Sequence, residues 1–327
     1  MWRCGPLLCL LVTGISAGVA GRAIPLEAGP QIPAPQPESA PAQPAPPAPV
    51  IENRGAPMAV PVRCGEEELQ LAATDCPAGE SCPVYLELSA VEGVASRIFA
   101  AGNLHSVGHT LSSILLASED GGKTWFEPFA RTPGAALEAI QFIDFASGWI
   151  AGQTVAPRPR DPFFLVTSDG GRTWRQRAVF DEPRPAIIEG FRFVSAKECE
   201  VWIDAGPGVE EEQRYELYET RTGGESWMLR RISDQPLGKP SVGDSEGAWR
   251  VRANAGSKSY LIESLKGGQW VKVAAFLVQP GECQMPEPVL REPPPEEPPP
   301  PAPAAETAPV TPSKKAKPKP PSLRKTP

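Results

Sequence analysis

The sequence predicts an all-β fold: a β-propeller of about four blade-like, four-stranded units in a small closed or incomplete ring, flanked by disordered Pro-rich arms. Three observations predict it. Prolines crowd the two ends, a tryptophan-closed motif recurs four times between them, and the apolar runs inside each repeat have the length of strands rather than helices.

The arms come first. Of 42 prolines, 12 fall in residues 24–62 and 17 in residues 280–327. Such segments hold few large apolar side chains, and burial cannot offset the entropy of ordering them. We therefore expect a linker over 21–62, a folded body over 63–279 and a tail over 280–327. A body of that size is ample for a core. A multi-span membrane protein and a coiled coil are both excluded. Residues 1–20 carry Arg3, then an apolar run, then Gly18-Val19-Ala20, the three-part pattern of a secretory signal cleaved after Ala20. An uncleaved membrane anchor is the lesser alternative, because the run from Pro6 to Ala20 is shorter than the roughly 20 residues a spanning helix needs. Residues 313–327 hold six Lys and Arg and no acid, so with a net charge of −7 the rest of the chain carries −13. A tail of that kind could lie on an anionic surface such as a phospholipid or a cell-wall polymer. The acidic body argues against a specific nucleic-acid reader.

The repeat has two registers. SEDGGKTW, TSDGGRTW, TRTGGESW and SLKGGQW end at Trp125, Trp174, Trp227 and Trp270. Upstream of them, one slot holds Phe99, Trp149, Trp202 and Trp249, at distances of 26, 25, 25 and 21 residues from the closing Trp. Two landmarks at a near-constant offset make the body four copies of one unit. In the second unit we expect strands at 136–142, 148–151, 163–167 and 174–179, and in the third at 187–193, 200–204, 215–219 and 227–232. The motif itself reads as a hairpin lock. Asp120 and Asp169 accept backbone N–H bonds, the glycines (Gly122, Gly171, Gly224, Gly268) take positive φ, and Ser118, Thr124, Thr167 and Thr173 border the turn. The closing Trp buries a large area while its N–H finds a partner at the turn. Thr222 and Lys266 replace the Asp in the third and fourth copies, so those turns should be looser. Calcium is not expected, since the loops are too short for enough oxygen ligands.

The motif S-x-D-x-G-x-T-W, as in SEDGGKTW, resembles the Asp-box or BNR repeat of sialidases, sortilin-type receptors and related propellers. The stretch FIDFASGWIAG over 142–152 is similar to the repeat of the photosystem II assembly and stability factor family. The resemblance covers about residues 85–276, and it implies a propeller whose Asp-box turns lie away from the binding face. Such propellers commonly have six or more blades, so this chain either closes as a small ring or is an arc completed by residues 64–84 or by a second chain.

Catalytic chemistry is poorly represented. A sialidase-type site implies an arginine cluster, a Tyr with a neighbouring Glu and an acid/base Asp. Of Tyr85, Tyr215, Tyr218 and Tyr260, the pair in RYELYET alternates onto opposite sheet faces, which suggests packing. His105 and His109 lack a third donor for a metal, and no motif calls for a cofactor. After removal of the signal five cysteines remain, enough for at most two bridges. Cys64 and Cys283 could tie the ends of the body, and Cys76 and Cys82 could close CPAGESC, leaving Cys199 as a buried thiol. Loops opposite the Asp-box turns differ while the frame repeats, and they carry the candidate binding residues: His105, His109, Arg158, Arg160, Glu210, Glu211, Glu212 and Lys258. The reading is an exported, non-catalytic propeller serving as scaffold, receptor or assembly factor for another envelope or secreted protein. A carbohydrate-binding or glycoside-hydrolysing propeller is the alternative.

Overall fold

The computed structural model describes residues 49–155, 158–207, 213–238 and 248–287. The signal, most of the linker, the tail beyond 287 and Glu210, Glu211 and Glu212 lie outside these residues. The chain enters through β1 (Ile51–Glu52) and a short helix α1 (Glu66–Ala72). The first sheet holds β2 (Ser81–Val94), β3 (Arg97–His105) and β4 (Thr110–Ser118), followed by β5 (Thr124–Trp125), which pairs with β1. The second sheet is β6 (Ala135–Phe142), β7 (Gly148–Thr154), β8 (Arg160–Thr167) and β9 (Arg175–Ala178). The third is β10 (Ile187–Phe193), β11 (Cys199–Pro207), β12 (Gln213–Thr220) and β13 (Met228–Ser233). The fourth has three strands, β14 (Trp249–Asn254), β15 (Ser259–Lys266) and β16 (Gln269–Leu277). Finally β17 (Gly281–Gln284) returns to pair with β2.

Each of the four larger sheets contains an antiparallel meander in chain order, the blade pattern of a β-propeller, and β17 adds to the first beside β2. The innermost strands confirm the equivalence of the units: β2, β6 and β10 each carry a register shift at a matching place, after Leu88, Leu137 and Ile188. The expected strands of the second and third units fall within two or three residues of those observed, except where β7, β8, β11 and β12 run further toward their loops.

The two registers of the repeat face opposite ways. Slot residues point forward to the next sheet, and box tryptophans point back to the previous one. Between the first and second sheets, Phe99 meets Trp174 edge-on at 5.7 Å and packs with Leu115, Leu137, Ile150 and Leu165. Between the second and third, Trp149 stacks on Phe193 at 3.7 Å and Phe164 stacks on Trp227 at 5.5 Å. The fourth sheet packs on the first, where Phe276 meets Trp125 edge-on at 5.2 Å among Leu86, Ile98 and Ile262. Glycine is required at the turns because the neighbour arrives there. A Cβ on Gly171 (φ +81°) would come within 2.3 Å of the Phe99 ring, and one on Gly122 (φ +93°) within 2.5 Å of Val273.

The limits of the body need correction at both ends. The linker expected to run to residue 62 is already structured from β1, with Met58 and Val60 buried in the core. Met58 exchanges hydrogen bonds with Ala275 and Leu277 on the edge of β16. Proline content concealed this because the apolar residues among these prolines find a sheet edge and a core to cover. The tail expected from 280 likewise begins with strand β17, and Met285 is buried. Both bridges form: Cys64–Cys283 ties the two ends of the folded body beside β17, and Cys76–Cys82 closes the short loop after α1. Cys199 is a buried free thiol, pushed up in pKa by burial and therefore unreactive.

Candidate functional site

Strand direction separates two ends of the propeller. β4, β8, β12 and β15 each run from a variable hairpin to a Gly-Gly turn, so all four turns share one end and the candidate binding loops share the other.

The turn end is a built lock. Asp120 Oδ1 accepts hydrogen bonds from the Lys123 and Thr124 N–H groups at 2.9 Å, and Oδ2 accepts one from Thr124 Oγ1 at 2.7 Å. Ser118 Oγ bridges Asp120 and the Gly122 N–H, and Trp125 Nε1 donates to Gly122 O at 3.1 Å. Asp169 repeats this set with Arg172, Thr173, Thr167, Gly171 and Trp174. Burial pushes both carboxyls up, but the converging donors prevail and hold each at about 2. In the third copy Thr222 Oγ1 still accepts the Ser226 N–H at 2.9 Å, yet Trp227 Nε1 has no partner. In the fourth, Ser264 Oγ has none. The lock thus weakens along the chain, as the loss of Asp implies.

A pH prediction follows from the depressed carboxyls. Their stabilisation is fully present above the ordinary value of 3.8 and is lost as pH falls through about 2. Asp120→Ala and Asp169→Ala are each expected to cost about 1–2 kcal/mol at pH 7 in urea unfolding. The difference from wild type should shrink below pH 3.

At the opposite end the structure ties three of the candidate residues, His105, His109 and Arg160, into two clusters. In the first, Asp75, just beyond α1, clamps the β3–β4 hairpin. It accepts hydrogen bonds from Ser106 Oγ, the Gly108 N–H at 2.9 Å and His109 Nδ1 at 3.0 Å. Burial opposes ionisation, but these donors hold its carboxyl below the usual range. His105 packs on Tyr85 and contacts Ser106 O through Nδ1. Both histidines therefore have structural partners, and among the described residues no three His, Cys, Asp or Glu side chains group as metal ligands.

The second cluster was not anticipated. Arg160 pairs with Asp161 at 2.7 Å, and Asp161 Oδ1 accepts the Arg184 N–H. The Arg184 guanidinium covers the Phe180 ring and reaches the fully buried Glu216 at 2.8 Å, where Arg214 and the Tyr218 hydroxyl also converge. The alternating RYELYET carries the signal, since Glu216 and Tyr218 share the face opposite Tyr215. What the sequence conceals is that Arg184, from another unit's loop, supplies the counter-charge. Lys258 turns the β14–β15 hairpin with φ +45°.

A Tyr–Glu contact flanked by two arginines bears on glycoside chemistry. Burial first, then the hydrogen bond to Glu216, push the Tyr218 hydroxyl up, whereas a nucleophile needs the reverse. Both guanidinium groups are already committed to Glu216. The arrangement is an ion-pair lock joining the second and third units. Glu216→Ala is expected to cost about 2–3 kcal/mol in thermal or urea unfolding, less than for a fully buried pair because both arginines can turn to water.

Fold and clusters together define a β-propeller whose polar groups are mostly satisfied internally. Among solved structures the chain is similar to one described as "YCF48 bound to D1 peptide", at 18% identity and a TM-score of 0.34. That likeness covers 61% of this chain and 57% of the other. No protein-family model and no curated protein matches.

Proposed function

We propose that the chain is an exported, non-catalytic β-propeller that binds another protein of the envelope or exterior, as scaffold, receptor or assembly factor. Its carrying observation is the asymmetry of the two ends: repeated, internally bonded turns at one, and hairpins of differing length and charge at the other. Export draws support from the two disulfides, which persist in oxidising compartments, and from the sequence pattern of residues 1–20. The basic residues of 313–327 suit a supporting contact with an anionic polymer or membrane.

Arg158 and Arg160 on the β7–β8 hairpin are the residues of choice for the test. Reversal of both to Glu is expected to remove at least one co-purifying envelope protein in affinity capture with mass spectrometry. Unchanged recovery would take this hairpin out of the binding surface.

A further inference from the structure

Four cysteines meet where β17 returns to β2. Cys283 and Cys82 stand directly opposite one another in that antiparallel pair. Residues so placed share a sheet face with their Cβ atoms about 4.5–5.5 Å apart, and both side chains are buried in the same core cluster. Cys283 is bonded to Cys64 and Cys82 to Cys76, so two bridges lie side by side, each with one sulfur on the ladder. Their other two sulfurs bracket α1: Cys64 stands two residues before the helix and Cys76 four residues after it. The helix is thus tied to the sheet from both sides.

Those ties matter at the variable end. Thr74 Oγ1 lies 2.8 Å from His109 Nδ1, and Asp75, the neighbour of Cys76, holds Ser106, the Gly108 N–H and His109 of the β3–β4 hairpin. The helix brings little anchorage of its own. It has seven residues, no side-chain cap and one buried residue, Ala72, and so short a helix is not stable without tertiary support.

We propose that these four cysteines form an exchange relay through which a small thiol of the glutathione class frees α1 and its clamp on the hairpin. Cys64 is half-buried while the other three are buried, so it is the sulfur an incoming thiolate reaches. The thiolate bonds to Cys64 Sγ as the Cys64–Cys283 bond breaks, and Cys283 leaves as a thiolate. Cys283 Sγ then attacks Cys82 Sγ. A Cys82–Cys283 bridge forms, and Cys76 departs with the electron pair of its broken bond and takes up the proton that the incoming thiol lost. One thiol is consumed, one appears and two S–S bonds persist, so the exchange needs neither oxidant nor reductant. The product keeps β17 stapled to β2 but leaves α1 without a disulfide to the sheet. Thr74 and Asp75 then lose the anchor that sets them against the β3–β4 hairpin. The relay acts on the order of this hairpin and holds whatever partner the propeller binds.

Cys64→Ser and Cys76→Ser test the exchange from its two ends without added thiol. Acid quenching, alkylation in denaturant and peptide mapping by mass spectrometry are expected to find the Cys82–Cys283 bridge in both variants, with Cys76 free in the first and Cys64 free in the second. Retention of Cys76–Cys82 in the first, or of Cys64–Cys283 in the second, would overturn the relay. On the wild-type full chain, reduced glutathione is expected to yield its adduct on Cys64 together with Cys82–Cys283 and a free Cys76. An adduct accompanied by a free Cys283, or none on Cys64, counts equally against it. Amide hydrogen exchange reads the consequence. In the exchanged protein the Gly108 N–H is expected to lose protection, while the Thr124 and Thr173 N–H groups at the far turns keep theirs. Unchanged protection at Gly108 would refute the coupling of the bridges to the hairpin.

Discussion

Replacing Cys64 and Cys283 together with serine is expected to lower stability by about 4–5 kcal/mol, among the largest losses any local change can produce here. The bridge spans 219 residues of sequence, so in the chain-entropy model it restricts the unfolded ensemble far more than the six-residue Cys76–Cys82 bridge, which is expected to contribute only about 2 kcal/mol. Its position amplifies the effect. Cys283 pairs directly with Cys82 across β17 and β2, and the segment leading to Cys64 bridges the edge of β16 at Met58. Losing the bridge therefore loosens the packing of the fourth sheet on the first as well as the loop. Urea unfolding of the double variant, with and without reductant on wild type, measures both bridges. Equal losses for the two single-bridge variants would show that the long closure adds nothing beyond the short one.

The frame was legible because repetition multiplies weak local signals. No single DGG turn identifies a blade, but four closing tryptophans with a second aromatic at a near-constant upstream offset locate strands throughout the second and third units. Boundaries were less legible because proline content measures ordering cost without showing what a segment finds to cover. Met58 and Val60 sit among prolines yet are buried, since β16 offers an open edge and the core an unfilled place. The polar clusters were least legible. Asp75 with His109 and Arg184 with Glu216 are separated by 34 and 32 residues and come from different elements. Local pattern could suggest the face of Glu216 and Tyr218 but not the guanidinium that neutralises it. The third and fourth copies also show how far a motif can drift. Thr222 keeps part of the turn that Asp would hold, and Lys266 keeps none.

Truncating the four box tryptophans in turn is expected to give losses graded by environment rather than by motif. Trp125 is fully buried, meets Phe276 and donates to Gly122 O, so Trp125→Ala is expected to cost about 3–5 kcal/mol from lost burial and the cavity left between the first and fourth sheets. Trp174, at 6% exposure between Phe99 and Phe142, should follow closely. Trp227 is half-buried on Phe164 but its Nε1 is unpartnered, so removing it also relieves an unsatisfied donor, and the net cost falls to about 1–2 kcal/mol. Trp270, 36% exposed beneath Arg250, should cost under about 1 kcal/mol. Thermal unfolding of the four variants at low protein concentration reads this order directly. Repetition in the sequence sets where each indole stands on its sheet; the neighbouring sheet sets what it is worth. A loss for Trp270→Ala as large as that for Trp125→Ala would mean that exposure of the indole does not set its worth.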